Sequence, residues 1–269
     1  MCPPDYFGIE YEINPWMSRR RPADHDTGVR QWELLHTLLE KEAGAEISCL
    51  SPVKGLHDLV FTANAAVVAG DLAILSRFRH RERQGEEPIH RQWFTEHGYR
   101  IYDLKAEAAF EGAGDALFCG ETLFAGYRIR SEIQAIQEVA EVLGCSVVPL
   151  ELVDPHYYHL DTCFCPLAPG VAVYYPQAFD TYGRQAMQKW IDDLIGVNAA
   201  EASRFACNAV VVGQTVITGA GCPELHRELR GRGFTSHETP LDEFIKAGGS
   251  AKCLTLRLDG EDASSWKPA

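Results

Sequence analysis

One arrangement of residues recurs about every fifty positions along this chain, and that repetition limits the fold more than any other feature. Each unit reads as an apolar hairpin, then an amphipathic helix, then a short strand. Hairpins fall at residues 67–75, 116–124, 168–175 and 209–217, each reversing at a small or polar turn such as Gly70-Asp71 or Gly213-Gln214. Helical stripes follow at Trp32, Leu35, Leu38 and Leu39, at Ile133, Ile136, Val139, Ala140 and Leu143, and at Met187, Trp190, Ile191 and Leu194. A shorter helix is expected over residues 222–229. Gly44, Gly144 and Gly196 stand where helix ends favour a residue that tolerates positive φ. Strands are expected at 46–50, 100–104 and 147–152, with a closing strand at 253–258, which makes five helix-bearing units. A single copy cannot bury its own apolar face, so the units must stack or close on themselves. Five are too few for a long solenoid; a closed five-bladed α/β propeller of ββαβ units fits. A dinucleotide-binding sheet is the rival, but Gly112 and Gly114 lack the third glycine of that turn.

With 269 residues, 46% of them hydrophobic, the chain has material for one large core, and a single domain over 1–269 is expected. A net charge of −13 argues against a general nucleic-acid surface. No apolar run approaches the roughly 18 residues of a membrane span, and Met1-Cys2-Pro3-Pro4-Asp5 lacks the basic and apolar regions of a signal peptide. Nine cysteines, an odd count without export signals, read as reduced thiols in a cytoplasmic protein.

The chemistry is concentrated in a few segments. Gly248-Gly249 implies a bend that lifts Cys253 toward a pocket, although a cysteine on an apolar strand is ordinarily a small buried hydrophobe. Residues 156–165 mix His, Asp and Cys in a way that invites a metal reading. Strand alternation, however, would send His159, Asp161 and Cys163 to one face and His156 elsewhere, and no second Cys/His pair lies at zinc spacing. Glu111 opens Glu111-Gly112-Ala113-Gly114-Asp115, where the glycines let backbone approach a ligand, or simply make a turn in which Asp115 bonds the turn's own amides.

Taken together, Gly248-Gly249 with Cys253-Leu254-Thr255-Leu256, His159-Leu160-Asp161-Thr162 and Glu111-Gly112 resemble the guanidino-modifying superfamily of arginine deiminases, amidinotransferases and dimethylarginine hydrolases. The resemblance implies the pentein fold, a five-bladed α/β propeller, and chemistry without metal or cofactor. It implies Cys253 as the nucleophile that forms a thiouronium, His159 as general acid and base, and Glu111 and Asp161 as carboxylates gripping the guanidinium. Asn64, in Val60-Phe61-Thr62-Ala63-Asn64, stands where deiminases and dimethylarginine hydrolases carry aspartate. An amide there resembles the N-succinylarginine dihydrolases and the arginine dihydrolases of cyanobacteria, and it can donate to the carbonyl of a neutral urea-type intermediate. The opening segment through Glu12-Ile13-Asn14-Pro15-Trp16 resembles the same arginine dihydrolases.

Arg83 and Arg130 match arginines that bind the substrate α-carboxylate, against the alternative of a solvated basic face; Asn14 is a further substrate-binding candidate, though Asn before Pro15 is normally a turn residue. The expected activity is therefore conversion of L-arginine and water to ornithine, ammonia and carbon dioxide. The alternatives are a one-step deiminase or dimethylarginine hydrolase and a non-catalytic binding protein of the same fold. L-Arginine is the partner expected, neither nucleic acid nor membrane is, and assembly into a homo-oligomer is compatible with the reading.

Overall fold

The computed structural model describes residues 1–267. Helix α1 (His25–Lys41) comes first; the Asp24 side chain accepts from the Thr27 N–H at 2.8 Å and so starts it, and Trp32, Leu35 and Leu39 form its buried stripe.

Four units then follow one pattern. In the first, β1 (Ala66–Ala69) and β2 (Leu72–Leu75) form an antiparallel hairpin. Helices α2 (Arg81–Gln84) and α3 (Glu87–Glu96) lead on to β3 (Arg100–Tyr102), parallel to β2. The second has β4 (Ala116–Cys119), β5 (Thr122–Tyr127), α4 (Ile133–Leu143) and β6 (Ser146–Glu151). The third has β7 (Phe164–Ala168), β8 (Val171–Tyr174), α5 (Thr181–Trp190) and β9 (Asp193–Gly196). The fourth has α6 (Ala199–Ala202), β10 (Val210–Val212), β11 (Thr215–Gly219), α7 (Pro223–Gly231) and β12 (Thr235–Thr239). Each makes a three-stranded sheet whose second strand is central.

The first strand of each sheet is nearly all apolar, as in Ala66–Ala69 and Ala116–Cys119, because both of its faces are covered. Two-residue reversals that need positive φ are met by glycine, at Gly70 (+61°) and Gly213 (+58°) for instance. Helix α4 buries Ile136, Val139, Ala140 and Leu143 and ends at Gly144 in the left-handed conformation.

The fifth unit departs from expectation. It contains α1 and α8 (Asp242–Ile245), but residues 46–50 and 253–258 join no sheet. Backbone bonds from Leu254 N to Ser250 O (3.3 Å) and Thr255 N to Lys252 O (3.0 Å) wind the cysteine segment into turns. The other segment is tied to the amino terminus by Leu50 N to Met1 O (2.8 Å). A cleft of about 370 Å³, lined in part by Ile47, Val210, Val212 and Leu256, lies where a ladder would close.

Three local expectations also shift. The third hairpin begins at Phe164, before the segment read as its start; α5 stops at Trp190, which is exposed, so Leu194 and Gly196 belong to β9. Residues 160–162 form a 3-10 turn, not a strand, so alternation does not place His159 and Asp161. Among the described residues, no helix is long and apolar enough to cross a membrane.

Candidate active site

Short turns ahead of the innermost strands bring the polar residues together. The 3-10 turns Thr62–Asn64, Gly112–Gly114 and Leu160–Thr162 precede β1, β4 and β7, and the middle one packs against both others. Asn64 and Asn208 each lie two residues before the first strand of their sheet, and Glu111 and His159 each lie five before theirs. Equivalent places in successive units thus supply different chemical groups. Gly114 is required by this convergence, since a β-carbon there would collide with Asn64 Nδ2.

One half of the cluster is ionic. Glu111 Oε2 lies 2.6 Å from His159 Nε2 and accepts from Arg130 Nη1 at 2.9 Å, while Oε1 accepts from the Arg79 N–H at 3.2 Å. All three side chains, Glu111, His159 and Arg130, are buried. Burial alone would raise the Glu111 carboxyl, but Arg130, His159 and Arg83 together hold it well below its ordinary value. An ionised Glu111 only accepts, so Nε2 of His159 carries the proton. Burial lowers His159 to about 4 despite that partner, leaving the imidazole neutral near pH 7. Arg130 also donates to Ile13 O at 3.1 Å and lies 4.5 Å above the Tyr158 ring.

The other half surrounds the thiol. Cys253, 2% exposed, donates to Asp161 Oδ2 at 3.4 Å and accepts from Asn208 Nδ2 at 3.1 Å. Burial, with no cation in hydrogen-bonding contact, pushes Asp161 up to about 7, and its Oδ1 is buried without a partner. Burial and the Asp161 charge raise the Cys253 thiol well above its ordinary value. A cationic group placed beside Asp161 would reverse both shifts, and the unpartnered oxygen points to where such a group is held.

The remaining expected residues divide. Arg83 and Arg130 are buried, so neither belongs to a solvated basic face. The Arg83 fork is occupied by Glu86, with Nε and Nη2 each at 2.8 Å, and its Nη1 donates to Asn64 Oδ1 at 2.8 Å. Because guanidinium only donates, that contact fixes the Asn64 oxygen toward Arg83 and turns its amide nitrogen toward Gly114 and Glu111. Asn14 caps its own turn by accepting from Trp16 N and Met17 N, and it donates to Ala247 O at 3.0 Å, joining the amino-terminal segment to the loop before Cys253.

Asp115 differs from expectation. Its carboxylate bonds Leu160 N (3.0 Å) and Ser131 Oγ (2.6 Å) and so ties the Glu111 turn to the His159 turn. Asn208 and Glu86 were not singled out from the sequence. Asn208 carries a signal in retrospect, because it occupies in the fourth unit the place of Asn64 in the first. Among the described residues, no three His, Cys, Asp or Glu side chains converge as metal ligands.

Comparison with known proteins is consistent with this geometry. A sequence model of the eukaryotic N,N-dimethylarginine dimethylhydrolase family matches residues 18–258. The chain is 47% identical over 263 residues to the bifunctional arginine dihydrolase/ornithine cyclodeaminase AgrE of Nostoc sp. and 46% to ArgZ of Synechocystis sp.. Each match covers 96% of this chain but 37% of the relative, so the chain spans little more than a third of their length. It is also 40% identical to the N(G),N(G)-dimethylarginine dimethylaminohydrolase of Mycobacterium tuberculosis, covering 96% of this chain and 84% of that one.

The N-terminal domain of ArgZ covalently bonded to a reaction intermediate superposes with a TM-score of 0.93 at 46% identity, over 97% of both chains. A dimethylarginine dimethylaminohydrolase adduct, at 20% identity and a TM-score of 0.80, shares the fold. The chain therefore belongs to the guanidino-modifying family that contains the dimethylarginine dimethylaminohydrolases and the arginine dihydrolase domains of AgrE and ArgZ, and its repeated α/β architecture is the pentein propeller of that family.

Proposed function

We propose that this protein is an arginine dihydrolase, taking L-arginine and two waters to ornithine, carbon dioxide and two ammonia. The observation that carries this reading over a one-step reaction is Asn64: its oxygen is engaged by Arg83, so its N–H end faces the Glu111 turn. The kinship with AgrE and ArgZ, named as arginine dihydrolases, supports it.

In this mechanism Glu111 and Asp161 hold the guanidinium by charge-assisted hydrogen bonds, with the carbon presented to Cys253. Sulfur bonds to that carbon, one C–N bond breaks, and the proton lost by the thiol leaves on ammonia through His159. Water activated by His159 then cleaves the C–S bond, returning the thiol and giving a citrulline-level species. Asn64 donates to the new carbonyl and retains it for a second attack, which releases the second nitrogen and a carbamate that loses carbon dioxide. Arg130, beside Glu111, and Arg83, behind Asn64, are proposed to orient the substrate and these two groups; Asn14 acts by holding the loop before Cys253.

The same proposal treats residues 1–269 as one catalytic domain, since the site draws on residues from Asn14, which holds the loop before Cys253, to Cys253 itself. A cytoplasmic setting is supported by nine unbridged cysteines. Dimethylarginine hydrolysis is the second reading, favoured by the Mycobacterium relative.

The experiment is to supply guanidine-labelled arginine and count ammonia against ornithine and citrulline, for the wild type and Asn64→Asp. An acceptor in place of the N–H donor leaves a buried polar contact unmet, worth ~1–3 kcal/mol, so the second round should slow ten- to a hundredfold. Citrulline should accumulate and ammonia per arginine fall from two toward one. Unchanged stoichiometry in the variant would remove Asn64 as the determinant, and citrulline from the wild type would favour a one-step enzyme.

A further inference from the structure

We propose that Asn208 is a positioning residue for the nucleophile, holding the cysteine loop with its oxygen and stabilising the Cys253 thiolate with its N–H. The inference rests on the reading of Cys253 as nucleophile. Asn208 is fully buried, and its four hydrogen-bonding capacities are all used. Oδ1 accepts from the backbone N–H of Ser250 (3.0 Å) and of Cys253 (3.1 Å). Nδ2 donates to Asp161 O (3.0 Å) and to Cys253 Sγ (3.1 Å). Its own carbonyl accepts from Lys252 N at 3.1 Å.

The two backbone N–H groups dictate the orientation of the amide. Donors can face only its oxygen, so nitrogen must face the sulfur, and there it can only give a hydrogen. Sulfur is thereby set between a donor, Asn208, and an acceptor, Asp161 Oδ2 at 3.4 Å. When the S–H bond breaks, the electron pair stays on sulfur and the proton is given up to water or, in turnover, to the departing ammonia through His159, so Asp161 keeps its charge for the guanidinium. The Asn208 N–H then bonds an anion, and charge-assisted contacts of this kind are roughly twice as strong as neutral ones.

The first unit uses the same device. Asn64 occupies the equivalent place, and there Arg83 holds the amide oxygen and turns the nitrogen inward. Two amides at matching places thus serve two different steps, Asn208 the attacking sulfur and Asn64 the carbonyl left behind.

The titratable groups facing Cys253 are few. Asp161 is in contact; Tyr158, whose hydroxyl donates to Gly248 O at 2.7 Å, comes from the third unit; and Lys252, next in the chain, is paired with Glu261. Neither Tyr158 nor Lys252 is bonded to the sulfur; Asn208 is its side-chain hydrogen-bond donor among the described residues, and the Ser250 backbone N–H also favours the thiolate.

Asn208→Asp keeps an oxygen for Ser250 and Cys253 but loses both N–H donors and adds a charge beside the sulfur, so it is read with Asn208→Ala, which loses the donors without adding a charge and in which the same displacement must recur. The probe is iodoacetamide, with alkylation of the Cys253 peptide followed by mass spectrometry from about pH 7 to pH 10. The expected result is alkylation about ten- to a hundredfold slower at pH 8 and a rate–pH curve displaced upward by about one to two units, with a thermal midpoint lowered because Asp161 O loses its donor. Should the aspartate variant not fold, Asn208→Ala is read in the same way. A wild-type rate–pH curve in whichever variant folds, even with a lowered melting point, reduces Asn208 to a tether and overturns the proposal. Alkylation needs no substrate, so its outcome is independent of whether arginine is the compound turned over.

Discussion

Two carboxylates of the site, equally buried, are held in opposite states. Glu111 touches Arg130 and His159 and stays ionised, whereas Asp161 has a thiol for its neighbour and is pushed up to about 7. Burial costs each of them the same kind of hydration; the difference is whether a cation stands in contact. The ionic half is therefore charged before any ligand arrives, while the thiol half is near neutral and becomes charged when a cation enters beside Asp161. Such a division suits a cationic substrate, because a guanidinium placed beside Asp161 would favour the thiolate where and when it is needed.

Substitutions at four positions, three within this division and one outside it, run from the largest expected effect to the smallest. Cys253→Ser removes the thiol half's nucleophile and should abolish turnover of arginine with the melting temperature retained. More than a few per cent of wild-type kcat in that variant would exclude the covalent route. His159→Ala empties the proton position of the ionic half, and general acid–base steps of this kind are worth ~10²–10⁴-fold in kcat. A loss under tenfold would make His159 a packing residue.

Arg130→Met makes the ionic half resemble the thiol half, leaving Glu111 without its guanidinium. Breaking one side of a buried pair costs about 3–5 kcal/mol, which urea unfolding would read directly. Arg130→Lys should recover only part, because lysine lacks the fork that reaches both Glu111 Oε2 and Ile13 O. A change below 1 kcal/mol in the methionine variant would show that Glu111 is held by His159 alone.

The smallest effect lies outside both halves and separates two buried histidines. His90 has neither ring nitrogen bonded, and burial lowers it to about 3. Its folded value is below the unfolded one near 6.5, so the unfolded chain takes up a proton that the folded chain refuses. Wild type should thus lose stability as pH falls from about 6.5 toward 3, by about 2 kcal/mol at pH 5 from this group. His90→Leu should remove that loss, measured as the change in unfolding free energy between pH 7.5 and pH 5, in which the cost of repacking cancels. If the acid loss is undiminished, it belongs to the other histidines that burial lowers, His159 at about 4 together with His80 and His226.

Much of this candidate site was legible once the local patterns were joined to the family resemblance. Cys253, His159 and Glu111 follow or precede glycine and hairpin signals that are contiguous in sequence, and they do converge as neighbours of Asp161 and Arg130. Arg83 and Arg130 were legible as residues of interest, yet their partners were not, since Glu86 is one basic-looking turn away and Glu111 lies in the turn before β4, on the far side of a hairpin from Arg130. Asn208 follows Cys207 without any glycine turn or charged neighbour, and only its place in the repeat distinguishes it. The closing strand expected at 253–258 does not form: its alternation is apolar enough for a ladder, but the Leu254 and Thr255 N–H groups are taken up by turn bonds to Ser250 O and Lys252 O.

What the sequence by itself determined is therefore the architecture and the chemical groups available to the candidate site. Hairpins, helices and their recurrence are written in spacings of a few residues, and a thiol, an imidazole and carboxylates are chemically distinct wherever they lie. The tertiary structure decided their states. Which carboxylate is ionised, which way each amide points and which donor meets the sulfur depend on contacts between units some fifty residues apart. Burial strengthens those contacts, because removing water raises both the cost of an unpaired charge and the strength of each hydrogen bond that remains.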